Sequence, residues 1–308
     1  MKYRVFIDGA EGTTGLKIHE YFSRRDDIEV IPIAEEKRKD MEERLSCIRQ
    51  ADVSFLCLPD AASLQIAAAA PKECAIIDTS TAHRTDDEWV YGMPELSEDQ
   101  RRLIGSSTRI ANPGCHATGA ILLINPLVRS GLVPADYPFS AYSLTGYSGG
   151  GKKMIAQYEG GTDGLASPRQ YGITQKHKHL PEIVKYTGIT GGLSFMPVVA
   201  DYFSGMQVTV PVSGSHVRGN SPREDVCRVF REYYDGCRLV NVRDHIDEGG
   251  FIASDRLSGS NRLEIAVEGN DESILLVATF DNLGKGASGA AVQNMNILLG
   301  IDETKGLI

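Results

Sequence analysis

The segment YRVFIDGAEGTTG, from Tyr3 to Gly15, joins a six-residue apolar run to a turn punctuated by glycine. Tyr3 to Asp8 reads as a buried strand. After Gly9 the chain carries Leu16, Ile18, Tyr21 and Phe22 at helical spacing. Dinucleotide folds place glycines at this first strand-to-helix turn, for tightness, for backbone approach to a pyrophosphate and for helix–strand packing. Anionic oxygens then rest on the free N–H groups of the helix start. The spacing of Gly9, Gly12 and Gly15 is GxxGxxG rather than GxGxxG, with Thr13 and Thr14 adding hydroxyl donors. A purely structural turn is the alternative reading.

The next runs repeat the alternation. Strands are expected at Ile28 to Ile33, Val53 to Leu58, Ala75 to Asp78 and Ser106 to Ile110, with helices near Lys39 to Gln50 and Ala61 to Ala70. Uniformly apolar strands alternating with helices imply a parallel sheet covered on both faces, an α/β doubly wound domain. Beyond the second strand lie Glu35, Glu36, Lys37, Arg38 and Lys39. An acid there suits a ribose 2′-hydroxyl and a base suits a 2′-phosphate. Arg38 or Lys37 is the expected phosphate contact.

From about Pro138 the texture changes. Phe139 to Thr145, Met206 to Val212, Leu263 to Glu268 and Ser273 to Phe280 alternate as strands of a largely antiparallel sheet, and Arg223 to Tyr234 reads as a helix. A last helix is expected over Gly286 to Leu299. A length of 308 residues agrees with two domains at roughly 150 residues each. The formal charge of −9 argues against nucleic acid or an anionic membrane as partner, since both select basic faces. The N-terminus lacks the pattern of a signal peptide, and no apolar run approaches a bilayer span. The six cysteines are scattered, with neither disulfide-framework nor zinc spacing. A reducing cytoplasm is expected.

One cysteine stands apart. Asn112-Pro113-Gly114-Cys115-His116-Ala117-Thr118-Gly119 makes a sharp turn into an apolar helix. Cys115 falls at the helix start, where the dipole stabilises thiolate and prepares a nucleophile for carbonyl carbon. The other five read as packing. A proton partner is sought in Gln175-Lys176-His177-Lys178-His179-Leu180-Pro181-Glu182. If this segment is extended, His177 and His179 point to opposite faces and only one meets the thiol. His116 is expected to point elsewhere, and a metal reading lacks a third ligand. Glycine makes up 32 residues, above the usual level of about 7%. Much of that excess lies in two further clusters. Gly149 and Gly150 lie in one; Asn282 and Gly284 lie in the other. Both suit a phosphate or cofactor edge, or a plain connection.

These residues carry a family resemblance. DGAEGTTG at 8–15, STAHR at 80–84, YGMPEL at 91–96, NPGCHATG at 112–119, HKHLPEI at 177–183 and DNLGKGASGAAVQNMN at 281–296 resemble the short subclass of N-acetyl-γ-glutamyl-phosphate reductases. That family is related to the semialdehyde dehydrogenases in fold and thiol chemistry. The resemblance implies a Rossmann-type NADP-binding domain over 1–114 and 285–308, with a catalytic and oligomerisation domain over 115–284. It makes Cys115 the acyl-accepting nucleophile and His177 or His179 the acid/base. Gly12, Thr13, Thr14 and Gly15 would line the NADP(H) phosphates, and Arg84 and Glu182 would meet substrate. Ala10 and Glu11 depart from the commoner GASGYTG loop. The implied reaction is NADPH-dependent reduction of N-acetylglutamyl 5-phosphate through a cysteine thioester, at a site between the domains. The implied assembly is a homodimer or homotetramer. A related enzyme acting on aspartyl or aminoadipyl phosphate, and a non-catalytic NADP-binding sensor, are the alternatives.

Overall fold

The computed structural model describes residues 2–308, which divide into two compact units. One runs to Gly114 and resumes with Ala287–Ile308; the other is Cys115–Gly286.

The first unit alternates strands and helices: β1 (Tyr3–Asp8), α1 (Thr13–Ser23), β2 (Ile28–Ile31), α2 (Met41–Gln50), β3 (Val53–Leu56), α3 (Asp60–Ala69), β4 (Ile76–Asp78), β5 (Val90–Tyr91), α4 (Glu98–Ser106) and β6 (Arg109–Ala111). All strand pairs are parallel, in the order β2-β1-β3-β4-β6-β5. Val5 and Phe6 face solvent nowhere, because helices cover both sides of the sheet. Capping residues set the helix starts. Asp40 accepts from the Glu43 backbone N–H, so α2 begins at Met41 and not at Lys39. Ser97 does the same for Gln100 and opens α4, a helix that displaces the expected strand at Ser106 to Arg109–Ala111. The second and third strands are also shorter than expected.

In the second unit α5 (Cys115–Arg129) leads into β7 (Phe139–Gly146), α6 (Gly151–Glu159), β8 (Arg169–Gln170), α7 (Leu180–Thr187), β9 (Leu193–Ala200), β10 (Met206–Ser213), α8 (Pro222–Tyr233), β11 (Val240–Arg243), β12 (Leu263–Gly269) and β13 (Ser273–Phe280). The sheet order is β11-β12-β13-β10-β7-β9-β8. It is antiparallel except at β7–β9 and β11–β12. Gly119 brings α5 close to the sheet: a Cβ there would lie 2.5 Å from Val208 Cγ2 and 2.9 Å from Phe280. Tyr142 and Leu275 stand exposed on the sheet. The chain then forms a π-helical turn (Gly284–Ser288) and α9 (Gly289–Leu298), which belongs to the first unit. Asn294, fully buried, donates there to Gly92 O and Asn112 Oδ1. Among the described residues no helix is long and apolar enough to cross a membrane.

Candidate active site

Cys115 is the first residue of α5, whose first turn carries no acid. Its thiol therefore sits on the positive end of a helix dipole with no competing carboxylate in that turn. Gly286 allows close approach, since a Cβ there would come within 3.0 Å of the Cys115 Cβ. Four other thiols lie where thiolate is disfavoured. Burial pushes Cys57 up to about 12, and raises Cys47, Cys74 and Cys227 as well.

Three imidazoles gather beside this helix start. The His116 ring centroid is 5.7 Å from that of His177 and 5.5 Å from that of His179, and the latter two are 4.8 Å apart. Phe195 closes one side of the cluster. The expected alternation of His177 and His179 does not occur, because the segment is a turn rather than a strand. Leu180 N–H donates to His177 O, and His179 has helical backbone angles as the N-cap of α7. Both rings thus swing to one side.

His116, expected to point away, is instead the hub. Its Nδ1 lies 2.6 Å from Ser143 Oγ and its Nε2 lies 2.6 Å from the Tyr171 hydroxyl. Burial lowers its pKa to about 3, and burial lowers His177 to about 4. Both rings are neutral near pH 7. A sequence signal existed: α5 is buried almost all round, and an imidazole on such a helix must find internal partners. Glu182 lies one turn along from His179, with Oε1 4.0 Å from Nε2, and is almost fully buried. That placement sets its carboxylate against the His179 ring.

The first unit brings the residues of the glycine loop together. Gly9 has φ +83°, and a Cβ would strike Cys57 O at 2.3 Å; at Gly15 a Cβ would lie 2.6 Å from Gly9 O. Both glycines are required by close backbone approach. Gly12 is the N-cap of α1, which has neither a side-chain cap nor an acid in its first turn. Thr13 Oγ1 is buried without a hydrogen-bond partner. An uncapped helix start next to an orphaned hydroxyl fits the pyrophosphate of a dinucleotide. Thr14 is in the same turn, and Arg38 reaches the loop through a 2.5 Å ion pair with Glu11.

Other expected residues are held by bonds and contacts within the protein. Arg84 is buried, with Nε donating to Asn112 O at 2.9 Å and Nη2 to Thr79 O at 3.1 Å. These main-chain oxygens fix where the guanidinium points. Asn282 donates to Ser148 Oγ and accepts from the Gly205 N–H. Gly149 faces Asn282, a Cβ on Gly150 would meet the Met154 side chain, and one on Gly284 would lie 2.3 Å from Ser260 O. Asn282 and Gly149 thus join the two loops, while Gly150 and Gly284 sit where a side chain would meet Met154 and Ser260. Asp281 does similar work, accepting from the Gly259 and Leu283 N–H groups.

A thiol on a helix start, with a cluster of three imidazoles built on the residue that follows it, in a chain that also carries a dinucleotide-type glycine loop, defines a thiol-dependent nucleotide oxidoreductase. Sequence comparison gives the particular kind: the chain belongs to the semialdehyde dehydrogenase family. The model of that family's NAD binding domain matches residues 4–104 and the model of its dimerisation domain matches residues 115–282. The chain is 42% identical to N-acetyl-gamma-glutamyl-phosphate reductase 2 of Pseudomonas putida, over 98% of both chains. It is 43% identical to the N-acetyl-gamma-glutamyl-phosphate reductase of Brucella ovis, over 97% of this chain and all of the relative. Among solved structures, aspartate semialdehyde dehydrogenase II of Vibrio cholerae superposes with a TM-score of 0.72 at 18% identity, covering 97% of this chain and 99% of the other. The Candida albicans aspartate semialdehyde dehydrogenase with NADP gives 0.69 at 16% identity over the full length of both. At these identities the solved structures define the fold: a Rossmann-type parallel sheet and a mixed second sheet.

Proposed function

We propose that this chain is an NADP(H)-dependent N-acetyl-gamma-glutamyl-phosphate reductase, converting N-acetylglutamyl 5-phosphate to N-acetylglutamate 5-semialdehyde and phosphate in arginine biosynthesis. The observation that carries the chemistry is Cys115 opening α5 beside the His116, His177 and His179 cluster. The named relatives, similar over nearly the whole chain, supply the substrate.

Cys115 thiolate attacks the acyl carbon, forms a thioester and expels inorganic phosphate. NADPH, when bound, supplies the hydride that reduces the thioester. His179 protonates the resulting oxyanion, then takes that proton back as the thiohemiacetal collapses and Cys115 leaves as thiolate. His179 is assigned this role over His177 because the Glu182 carboxylate stands beside its ring, Oε1 lying 4.0 Å from Nε2. Gly12, Thr13 and Thr14 would hold the cofactor phosphates, Gly9 and Gly15 shaping the loop, with Arg38 on the 2′-phosphate. The functional division follows as an NADP-binding domain of 1–114 with 285–308 and a catalytic, oligomerising domain of 115–284. Tyr142 and Leu275, exposed on the second sheet, suit burial against a second copy in a homodimer or homotetramer. The acidic balance suits a cytoplasmic enzyme of small molecules.

Phosphate-dependent NADP reduction by N-acetylglutamate 5-semialdehyde tests the reading. Cys115→Ser is expected to lower turnover by about 10⁴-fold or more while NADPH binding, followed by fluorescence, is retained. Preference for aspartate semialdehyde over the N-acetylated substrate would overturn the substrate, and an active Cys115→Ser variant would overturn the mechanism.

A further inference from the structure

The hydrogen-bond chain Ser143–His116–Tyr171 has a direction, and the direction follows from counting protons. Ser143 lies on β7 with no exposed surface, so its hydroxyl hydrogen must be placed internally. Among the described residues its side-chain partner is His116 Nδ1, at 2.6 Å. Nδ1 must then accept. His116 is buried and neutral, so its single ring proton is on Nε2. Nε2–H in turn donates to the Tyr171 hydroxyl oxygen at 2.6 Å. The phenolic proton of Tyr171 is consumed by neither neighbour. Were the imidazole in its other tautomer, Ser143 would be a buried hydroxyl with an unplaced hydrogen and Tyr171 would spend its proton on Nε2.

The end of this chain faces the chemistry. His116 is the residue after the nucleophile, and Tyr171 lies against the His116 and His177 rings, at 6.0 and 5.7 Å between centroids. Burial first, and then the charge of Cys115, push the Tyr171 hydroxyl above its ordinary range, so it keeps its proton at any working pH. Its backbone is anchored independently, by the Tyr171 N–H to Pro197 O and by β8 pairing with β9.

We propose that Tyr171 is a further catalytic residue, its hydroxyl donating to the oxygen that becomes negative when Cys115 attacks the acyl carbon, and that His116 and Ser143 are positioning residues that aim that proton. The proposal rests on Cys115 being the nucleophile of the reductase reaction. It adds a neutral donor to the site. His179 moves a proton; Tyr171 donates a hydrogen bond and keeps its own. A hydroxyl whose oxygen already accepts from an imidazole N–H is a stronger donor, because hydrogen bonds in a chain polarise one another. A prearranged donor of this kind pays no reorganisation when charge develops.

The test has a part that needs no substrate. With ¹⁵N-histidine labelling, and with His116→Gln used to assign the signal, His116 is expected to show a protonated Nε2 and an unprotonated Nδ1 at pH 7. A proton on Nδ1 would overturn the proposal outright. Ser143→Ala is expected to mix the two tautomers in the same spectrum, which loss of packing alone would not do. In turnover, Tyr171→Phe is expected to lower kcat by about 10²-fold, the usual effect of one oxyanion donor, with KM for both substrates changed less than about threefold. Tyr171→Phe with kcat within about threefold of the parent protein would sink the donor role. Alkylation of Cys115 by iodoacetamide at an unchanged rate in that variant shows an intact thiol site, whereas a collapsed rate would make Tyr171 structural. Failure of the parent protein on N-acetylglutamyl phosphate, with Cys115-dependent reduction of another acyl phosphate, would instead refute the proposed substrate. The kcat ratio would then be read on that substrate.

Discussion

His116 holds its ring neutral inside the second unit, and this has a thermodynamic consequence. Its pKa is about 3 in the folded chain against 6.5 ordinarily. The unfolded chain therefore binds one more proton through that interval, and stability falls as pH drops from about 6.5 toward about 3. For a fully buried group the slope approaches about 1.4 kcal/mol per pH unit. His177, lowered to about 4, adds in the same direction over a narrower window, less strongly because it is only partly buried. Urea unfolding followed from pH 7 to pH 5 should lose stability with this slope. His116→Gln should flatten it by about one proton's worth; an unchanged slope would show that His116 is not the group that titrates. The thiol at Cys115 was legible from sequence, because a Pro-Gly turn running into an apolar helix states its own geometry. The role of His116 was not, because a residue's neighbours across a sheet and a loop, Ser143 and Tyr171, are set only when distant segments meet.

At the scale of elements, α5 does most to place the site, and its contact with the sheet runs through Gly119. Alanine is the better helix former by about 1 kcal/mol. Gly119→Ala is nevertheless expected to destabilise the protein by about 1–3 kcal/mol, because the new methyl would strike Val208 and Phe280. Thermal unfolding reads the sign directly; a raised midpoint would mean that β10 and β13 yield without cost. Elements with a clean period were readable, such as β13, expected and found at Ser273–Phe280. Others were hidden for physical reasons. β9 has Pro197 at its centre, which ordinarily argues against a strand, yet its carbonyl serves Tyr171 and the strand pairs with β7 on its other side. β11 is four residues long, too short for a period to show. α6 follows a run of glycines that reads as loop, and α7 is eight residues long and opens at His179, inside a polar segment, so little of a helical period shows.

At the scale of the molecule, the first unit is discontinuous in sequence. Val292, Met295 and Asn294 of α9 are buried in it, alongside residues of the first 114 positions. Burying an apolar side chain is worth about 1.5–3 kcal/mol, so Val292 and Met295 alone contribute on the order of 5 kcal/mol, comparable with the whole stability of a small domain. A fragment of residues 1–114 is thus expected to bind a hydrophobic dye and unfold without a sharp transition. Joining residues 287–308 to it through a flexible linker should restore a cooperative melt. Cooperative unfolding of the short fragment would show that α9 is dispensable to the sheet.

The sequence by itself determined the local and the compositional: the apolar strands of a parallel sheet, the glycine turn after β1, the thiol at a helix start, and an acidic chain suited to small molecules. These are properties of contiguous residues, whose spacing already states the backbone they require. Only the tertiary structure decided which polar groups face one another. It turned His177 and His179 to one side, set Glu182 against His179, tied Arg84 to main chain and Asn282 to a neighbouring loop, and gave His116 its two partners, Ser143 and Tyr171. A hydrogen bond between residues dozens of positions apart depends on where whole elements come to rest, and that is settled by packing rather than by any pattern within a single segment.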